Sequence, residues 1–270
     1  MRLLFVGDVV GRPGRDAVEA LLPGLRERLD VDACIVNGEN IANGVGITPR
    51  LAERLLAAGA DALTLGNHAW RREEIGPYLS SSSTIVRPAN FQSESPGRGL
   101  TVVEARDGTP VAVVNLLGTL FLDPAHSMWE VVDELVTEAR ETTPVVLVDV
   151  HAEATSEKVA LAAWLDGRVT AVLGTHTHVQ TSDARVLPGG TAALTDVGMT
   201  GPHDGVIGVE REPVINRFLS GLPARFEAAR GMPKLHAVVI TADTTTGEAT
   251  SIERISLTRA ALEAMSGEDR

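Results

Sequence analysis

Apolar and polar positions along the chain change period several times. Continuous apolar runs at 3–6, 33–36 and 62–65 are too short for helices and read as buried strands. Between them, apolar residues recur at helical spacing over 16–29 and 49–58, which predicts two amphipathic helices. Thr48 and Pro49 supply a cap and a first helical residue, and Gly59 a stop. Short strands alternating with helices predict a largely parallel sheet covered on both faces.

Further along, Ser, Pro and Gly dominate 80–97 around one short strand. Apolar runs at 100–104 and 111–115 flank Asp107-Gly108 and predict an antiparallel hairpin. Helices are expected over 128–140 and 155–165, and strands over 145–150, 170–173 and 192–194. Segments 236–241 and 249–255, joined across a Thr-Gly turn, form a second expected hairpin. There is no internal repeat and no long linker, so the expectation is one α/β domain with two sheets over residues 1–270.

Composition narrows the class. Hydrophobic residues make up 44% and charged residues 22% of 270 positions, with a mean hydropathy of +0.08, which suits a globular core and argues against disorder. No apolar stretch approaches the ~18 residues of a membrane span. The first residues lack the length and cleavage site of a secretory signal, so a cytoplasmic protein is expected. Thirty-six acidic side chains against 24 basic ones give a formal charge of −12. Lys158 and Lys234 are the only lysines and no arginine-rich face emerges, so binding to extended duplex nucleic acid is not expected. The single cysteine, Cys34, falls inside a predicted strand and excludes a thiolate metal site.

Chemistry collects where predicted strands end. Gly7-Asp8 follows the first, Asn37-Gly38-Glu39-Asn40 the second and Gly66-Asn67-His68 the third. Asp149-Val150-His151 and Gly174-Thr175-His176-Thr177-His178 close two later strands. Singly, each has an ordinary reading as a cap or a polar turn. Parallel strands, however, bring their carboxyl ends to one edge, where such folds bind ligands. In an extended segment His176 and His178 would project to the same side. Oxygen and imidazole donors without sulfur suit zinc, manganese or iron. A carboxylate, Glu39 or Asp8, could bridge two ions, and paired ions activate water for attack at phosphorus. Phosphoester hydrolysis is the chemistry this pattern predicts.

In order and type these motifs resemble the calcineurin-like metallophosphoesterases, whose fold is a sandwich of two mixed sheets flanked by helices. Val10 stands where that superfamily commonly has a histidine ligand, and Glu39 where it has aspartate. These departures, with the strings at 37–44 and 196–202, resemble the YmdB branch of bacterial phosphodiesterases. The resemblance implies one metal held by Asp8, Glu39, Asn40 and His178, and a second held by Glu39, Asn67, His151 and His176. Glu39 bridges the two, and Asn40 replaces the ligand Val10 cannot provide. Iron is the first expectation and manganese the second. It further implies hydrolysis of a small 2′,3′-cyclic nucleotide to the 3′-nucleotide, by attack of a metal-bridging hydroxide with His68 as proton donor. Alternatives are a phosphomonoesterase or phosphodiesterase of broader specificity, and a regulatory RNA-associated binding module whose metal is structural.

Other residues carry weaker expectations. Gly7, Gly11 and Gly14 surround Arg12 but fit neither nucleotide-binding glycine fingerprint, which leaves Arg12 as a candidate phosphate contact. No Gly-x-Ser-x-Gly elbow occurs. His203 is a candidate substrate contact and 87–99 a candidate rim, whereas His126 and His236 are expected outside the metal shell. Apolar residues on the C-terminal hairpin leave homo-oligomerisation open.

Overall fold

Alternation along β1 (Arg2–Val6) divides the molecule into layers. Leu3 and Phe5 join one buried cluster and Leu4 and Val6 another, because successive side chains leave a strand on opposite faces. β3 (Ala33–Asn37) repeats the split: Ala33 and Ile35 pack with Leu3 and Phe5, Cys34 and Val36 with Leu4 and Val6. The computed structural model describes residues 1–258, 260 and 261.

β1 and β3 run parallel, with β4 (Ala62–Thr64) and β5 (Ile85–Val86) beyond them in the same sense. On the other side of β1 lies an antiparallel strand, β13 (Pro233–Ala242), and then β12 (Met199–Pro202) and β2 (Asp8–Val9). β14 (Ala249–Leu257) completes this sheet as the partner of β13. The second sheet has the order β10 (Arg185–Val186), β11 (Ala192–Leu194), β9 (Ala171–Thr175), β8 (Val146–His151), β7 (Pro110–Leu117) and β6 (Leu100–Glu104). Its four inner strands are parallel and both edges antiparallel.

The sheets face each other across a core that joins Leu3, Phe5 and Ile35 to Val111, Leu147 and Leu173. α1 (Gly11–Arg28) and α2 (Pro49–Ala57) cover the outer face of the first sheet through Leu21, Leu22 and Leu55. α4 (Met128–Thr142) and α5 (Thr155–Trp164) cover the second through Val132, Val136 and Leu161. The result is the expected α/β sandwich of two mixed sheets flanked by helices, and both expected hairpins are present. Among the described residues no helix is long and apolar enough to cross a membrane.

Three features depart from expectation. α1 begins at Gly11, not at 16. Its first turn lacks a side-chain cap and is anchored by tertiary backbone bonds, with Gly11 N donating to Asn40 O at 3.0 Å and a bridge joining Val10 to Asn40. α3 (Ile75–Ser81) and α6 (Arg211–Ser220) were not anticipated; α6 buries only Val214, so it carries no apolar stripe to announce it. The first sheet also has β13 beside β1, so it is less parallel than its opening third predicts.

At the carboxyl ends of the inner strands the two sheets are joined by a buried polar clasp. Asp149 of β8 accepts from Asn37 Nδ2 of β3 at 2.9 Å, from the Thr64 hydroxyl of β4, and from Thr175 Oγ1 of β9 at 2.7 Å. Burial pushes its carboxyl up to about 6, against the pull of His151 and these donors. Asp149→Ala strands three buried donors, and we expect it to cost about 3 kcal/mol in chemical denaturation. An unchanged midpoint and slope would show that the clasp contributes nothing to stability.

Candidate metal centre

The strand ends place all seven expected ligand side chains and His68 around one depression. Asp8, Glu39 and His151 are fully buried there. Glu39, His151 and His176 each present one ligand atom, and these atoms lie within 4.8 Å of one another. His151 Nε2 stands 3.3 Å from Glu39 Oε1, 3.1 Å from Asn67 Oδ1 and 3.0 Å from His176 Nδ1. On the other flank, His178 Nε2 is 3.8 Å from Asp8 Oδ1 and 3.4 Å from Asn40 Nδ2. Glu39 lies between the groups, since its Oε1 also accepts from Asn40 Nδ2 at 2.8 Å.

A proton inventory fixes the His151 ring. The single Thr175 hydroxyl proton goes to Asp149, so its oxygen accepts from His151 Nδ1 at 2.9 Å. Nε2 is thereby the nitrogen turned to Glu39. His68 is held differently: its Nδ1 lies 2.9 Å from Asn40 Oδ1 and 3.2 Å from Glu39 Oε1, and its backbone N donates to Glu39 Oε2 at 3.1 Å. Its Nε2 has no hydrogen-bond partner among the described residues. Asn40 thus offers its amide nitrogen to Glu39 and His178 and its oxygen to His68, so it would ligate an ion through Oδ1 only with the amide turned over.

The field in this pocket calls for a cation. Burial opposes charge on Glu39, but His151 and His68 outweigh it and hold its carboxyl well below the usual carboxylate range. Burial likewise opposes charge on His151, yet Glu39, Asp8 and Asp149 raise the imidazole to about 9. His176 is pushed down to about 3 by burial and by His151, which leaves a neutral ring of the kind metals take. Burial raises the Asp8 carboxyl against His178 and His151. Its Oδ2 accepts from His176 N at 3.1 Å, but its buried Oδ1 has no hydrogen-bond partner among the described residues. Gly66 packs directly against these donors: a Cβ there would fall 2.3 Å from Glu39 Oε2 and 2.4 Å from His151 Nε2, so any side chain would push them aside. An orphaned carboxylate oxygen beside a neutral imidazole fits a bound cation held by nitrogen and oxygen donors.

His176 and His178 arrive by a route the sequence did not suggest. The segment is not extended: their φ angles are 96° and 66°, in the left-handed region that costs a non-glycine residue energy. Side-chain bonds hold the strained turn. Thr177 donates from its backbone N at 3.0 Å and from its hydroxyl at 2.6 Å to Asp196 Oδ2, which also receives buried Lys158 Nζ at 2.9 Å. His178 Nδ1 donates to Ile207 O at 2.8 Å. Asp149 and Thr175 stand in the strand-end motifs without an expected role, and the Lys158–Asp196 pair has no sequence signal. Glu153, whose Oε2 sits 3.1 Å from His176 Nε2, was not singled out from sequence. Glu153 lies two positions past His151 in the same polar strand exit, which was the available signal.

The other candidates separate cleanly. His203 stacks edge-on against His236 at 4.6 Å, bonds to Gly201 O at 2.8 Å and does not line the pocket. His126 is exposed near Glu130, outside the metal shell as expected. No residue of 87–99 lines the pocket; Phe91 packs edge-on against Trp70, two residues past His68. Cys34 is buried in β3, where burial pushes its thiol up. Gly7 and Gly14 allow close packing, since a Cβ would meet Gly198 O at 2.0 Å and Thr200 O at 2.3 Å respectively. Arg12 lines a neighbouring cleft of about 1010 Å³, which adjoins the 370 Å³ pocket over the histidines.

Known proteins are similar to this chain over nearly its whole length. A 2′,3′-cyclic-nucleotide 2′-phosphodiesterase of Bacillus subtilis (strain 168) is 51% identical over 255 residues, covering 94% of this chain and 96% of that protein. The crystal structure of a novel phosphatase from Mycoplasma pneumoniae superposes with a TM-score of 0.88 at 34% identity, covering 96% of this chain and 93% of that one. The calcineurin-like phosphoesterase YfkN from Bacillus subtilis has the same fold at 12% identity, with a TM-score of 0.59 and coverage of 96% and 91%. The family model for YmdB-like proteins matches residues 4–255, and the chain belongs to that family.

Proposed function

We propose that this protein is a phosphodiesterase that uses two metal ions to open the 2′ bond of 2′,3′-cyclic nucleotides, releasing 3′-nucleotides. It is a hydrolase of phosphoric esters by family, and the cyclic-nucleotide assignment is supported by its 51% identity to the Bacillus subtilis enzyme of that name. The observation that carries the metal requirement is the buried, unpartnered Asp8 Oδ1 facing His178 across from the Glu39–His151–His176 cluster. Asp8, Glu39, Asn40 and His178 would hold one ion, and Glu39, Asn67, His151 and His176 the other. Iron ranks ahead of manganese because the resemblance to the YmdB-like family implies it, whereas an amide oxygen in place of imidazole by itself favours a harder ion. Bound metal ions supply Lewis acidity, which acidifies water and neutralises charge on phosphoryl oxygens.

The chain's own residues do the remaining work. In the reaction a water oxygen becomes bonded to phosphorus, the bond from phosphorus to the 2′ oxygen breaks with its electron pair on oxygen, and that oxygen takes a proton. We assign that proton to His68. Asn40 and Glu39 hold its Nδ1, so Nε2 is the nitrogen free for substrate. Thr175 and Asp149 fix the tautomer of His151, and Lys158 with Asp196 holds the turn that presents His176 and His178. Glu153 steadies the outer nitrogen of His176.

Elemental analysis of the purified protein should find two metal ions per chain. Gly66→Ala should lower metal content and turnover together while leaving secondary structure intact, because the added methyl pushes Glu39 and His151 aside; full metal loading in this variant would sink the placement. His68→Ala should keep its metals and lose ~10²-fold or more in kcat on 2′,3′-cyclic AMP. Undiminished turnover there would remove His68 from the proton-donor role. Hydrolysis of 2′,3′-cyclic AMP, 3′,5′-cyclic AMP and a simple phosphomonoester at equal rates would replace the selective assignment with a broad one.

A further inference from the structure

Beside the cavity of about 370 Å³ over the histidines lies a larger cleft of about 1010 Å³. Arg12 and Asp16 at the start of α1, Arg72, and Arg225 and Arg230 of the 225–233 segment all contribute to its walls. The cleft is therefore lined by four arginines and two carboxylates, Asp16 and Glu227, in a chain whose acidic residues outnumber its basic ones 36 to 24. Fold geometry gathers arginines that lie far apart in the sequence. The arginines are differently engaged. Arg72 is spent on the backbone, donating to Ala42 O at 2.8 Å and Val45 O at 3.2 Å, and so holds the turn between the two cavities. Arg12 makes only a highly exposed contact with Asp16 at 3.4 Å, and Arg225 one with Glu227 at 3.7 Å. Arg230 is exposed and has no ion pair among the described residues.

The cleft and the catalytic pocket are continuous. Asn43, Val45, Phe226, Glu227 and Ala228 line both. Phe226 is 40% exposed at this junction, with the Arg217 guanidinium 5.3 Å from its ring centroid. A positive groove with an exposed aromatic ring at its mouth is the combination that binds single-stranded nucleic acid, cations taking phosphates and the ring stacking a base. The pocket of about 370 Å³ lies at the small end of the range for single-ligand sites, roughly 300–1,000 Å³. The adjoining 1010 Å³ is room that a mononucleotide leaves unused.

Accepting the phosphodiesterase reading, we infer that the substrate class extends to short single-stranded RNA ending in a 2′,3′-cyclic phosphate. The terminal cyclic phosphate occupies the pocket over the histidines. The chain then leaves through the 5′ oxygen of the terminal ribose, and its preceding phosphates meet Arg12, Arg225 and Arg230 while a base rests on Phe226. The chemical step is unchanged: water adds to phosphorus, the 2′ oxygen leaves and is protonated, and the RNA ends in a 3′-phosphate.

The test separates cleft from catalysis. A 5′-fluorescein-labelled tetraribonucleotide carrying a 3′-phosphate is titrated against the metal-loaded protein by anisotropy, with 3′-AMP and a tetraglutamate peptide as competitors. The tetranucleotide should bind at least tenfold more tightly than 3′-AMP, and its log–log salt slope should steepen by about 0.7 for each phosphate engaged. Arg12→Glu with Arg230→Glu, both exposed positions, should weaken it tenfold or more, and Phe226→Ala about tenfold. In turnover, kcat/KM for the cyclic-phosphate tetranucleotide should exceed that for 2′,3′-cyclic AMP tenfold, and the arginine variant should shrink that ratio. Equal affinity for tetranucleotide and 3′-AMP, or arginine variants that leave tetranucleotide binding unchanged, overturns the inference. Competition by tetraglutamate as strong as by RNA overturns it in favour of an acidic protein partner. Intact arginine-dependent binding without hydrolysis of either cyclic phosphate upholds the cleft and strikes instead at the phosphodiesterase reading.

Discussion

Buried negative charge at one end of the sandwich organises the structure around it. Asp8, Glu39 and Asp149 are all withdrawn from water, and a bare carboxylate in that position is unaffordable unless something positive or proton-donating answers it. The three are answered to different degrees. Asp149 has three side-chain donors, from Asn37, Thr64 and Thr175. Glu39 has Asn40, the His68 backbone and a positive His151. Asp8 has one backbone donor and an oxygen with none. Satisfaction therefore falls from the clasp toward the pocket, and the deficit lies where a cation would sit. The same demand explains why α1 starts early: Gly11 docks on Asn40 O, which locks the Asp8 strand exit against the Glu39 strand exit.

Much of this was legible in the residues. The apolar runs located β1, β3, β4, β8 and β9, and parallel pairing then required their polar exits to converge, whatever the family. What escaped were features whose signal is not periodic. α6 buries one residue, β12 is four residues containing Gly201 and Pro202, and the first turn of α1 is glycine-rich and anchored by a distant carbonyl. The His176 and His178 pair reaches the pocket in a conformation other than the expected one. Two-residue periodicity presumes an extended strand, whereas the histidines sit in left-handed turns that local propensity disfavours. Asp196, held in turn by Lys158, anchors that backbone at Thr177, and no local pattern couples positions 158, 177 and 196.

Net charge illustrates the same limit in another quantity. A sum of −12 describes the surface averaged over all directions, but an approaching anion responds to the field of one concave region. Here two of the acidic residues that make the sum negative, Asp8 and Glu39, are buried and face histidines, and four arginines meet in the walls of one cleft. Arg12 comes from one end of the chain and Arg225 and Arg230 from the other, so composition registers them as scattered. β13, inserted antiparallel beside β1, is what brings the 225–233 segment back to the start of α1. An acidic exterior with one positive groove also sets a length limit on any polyanion it accepts. A few phosphates are attracted within the groove, while a longer strand must run on over carboxylates that repel it at separations within the Debye length, about 8 Å at physiological salt. A few arginines gathered in one cleft of an otherwise acidic chain favour the end of a strand over its middle.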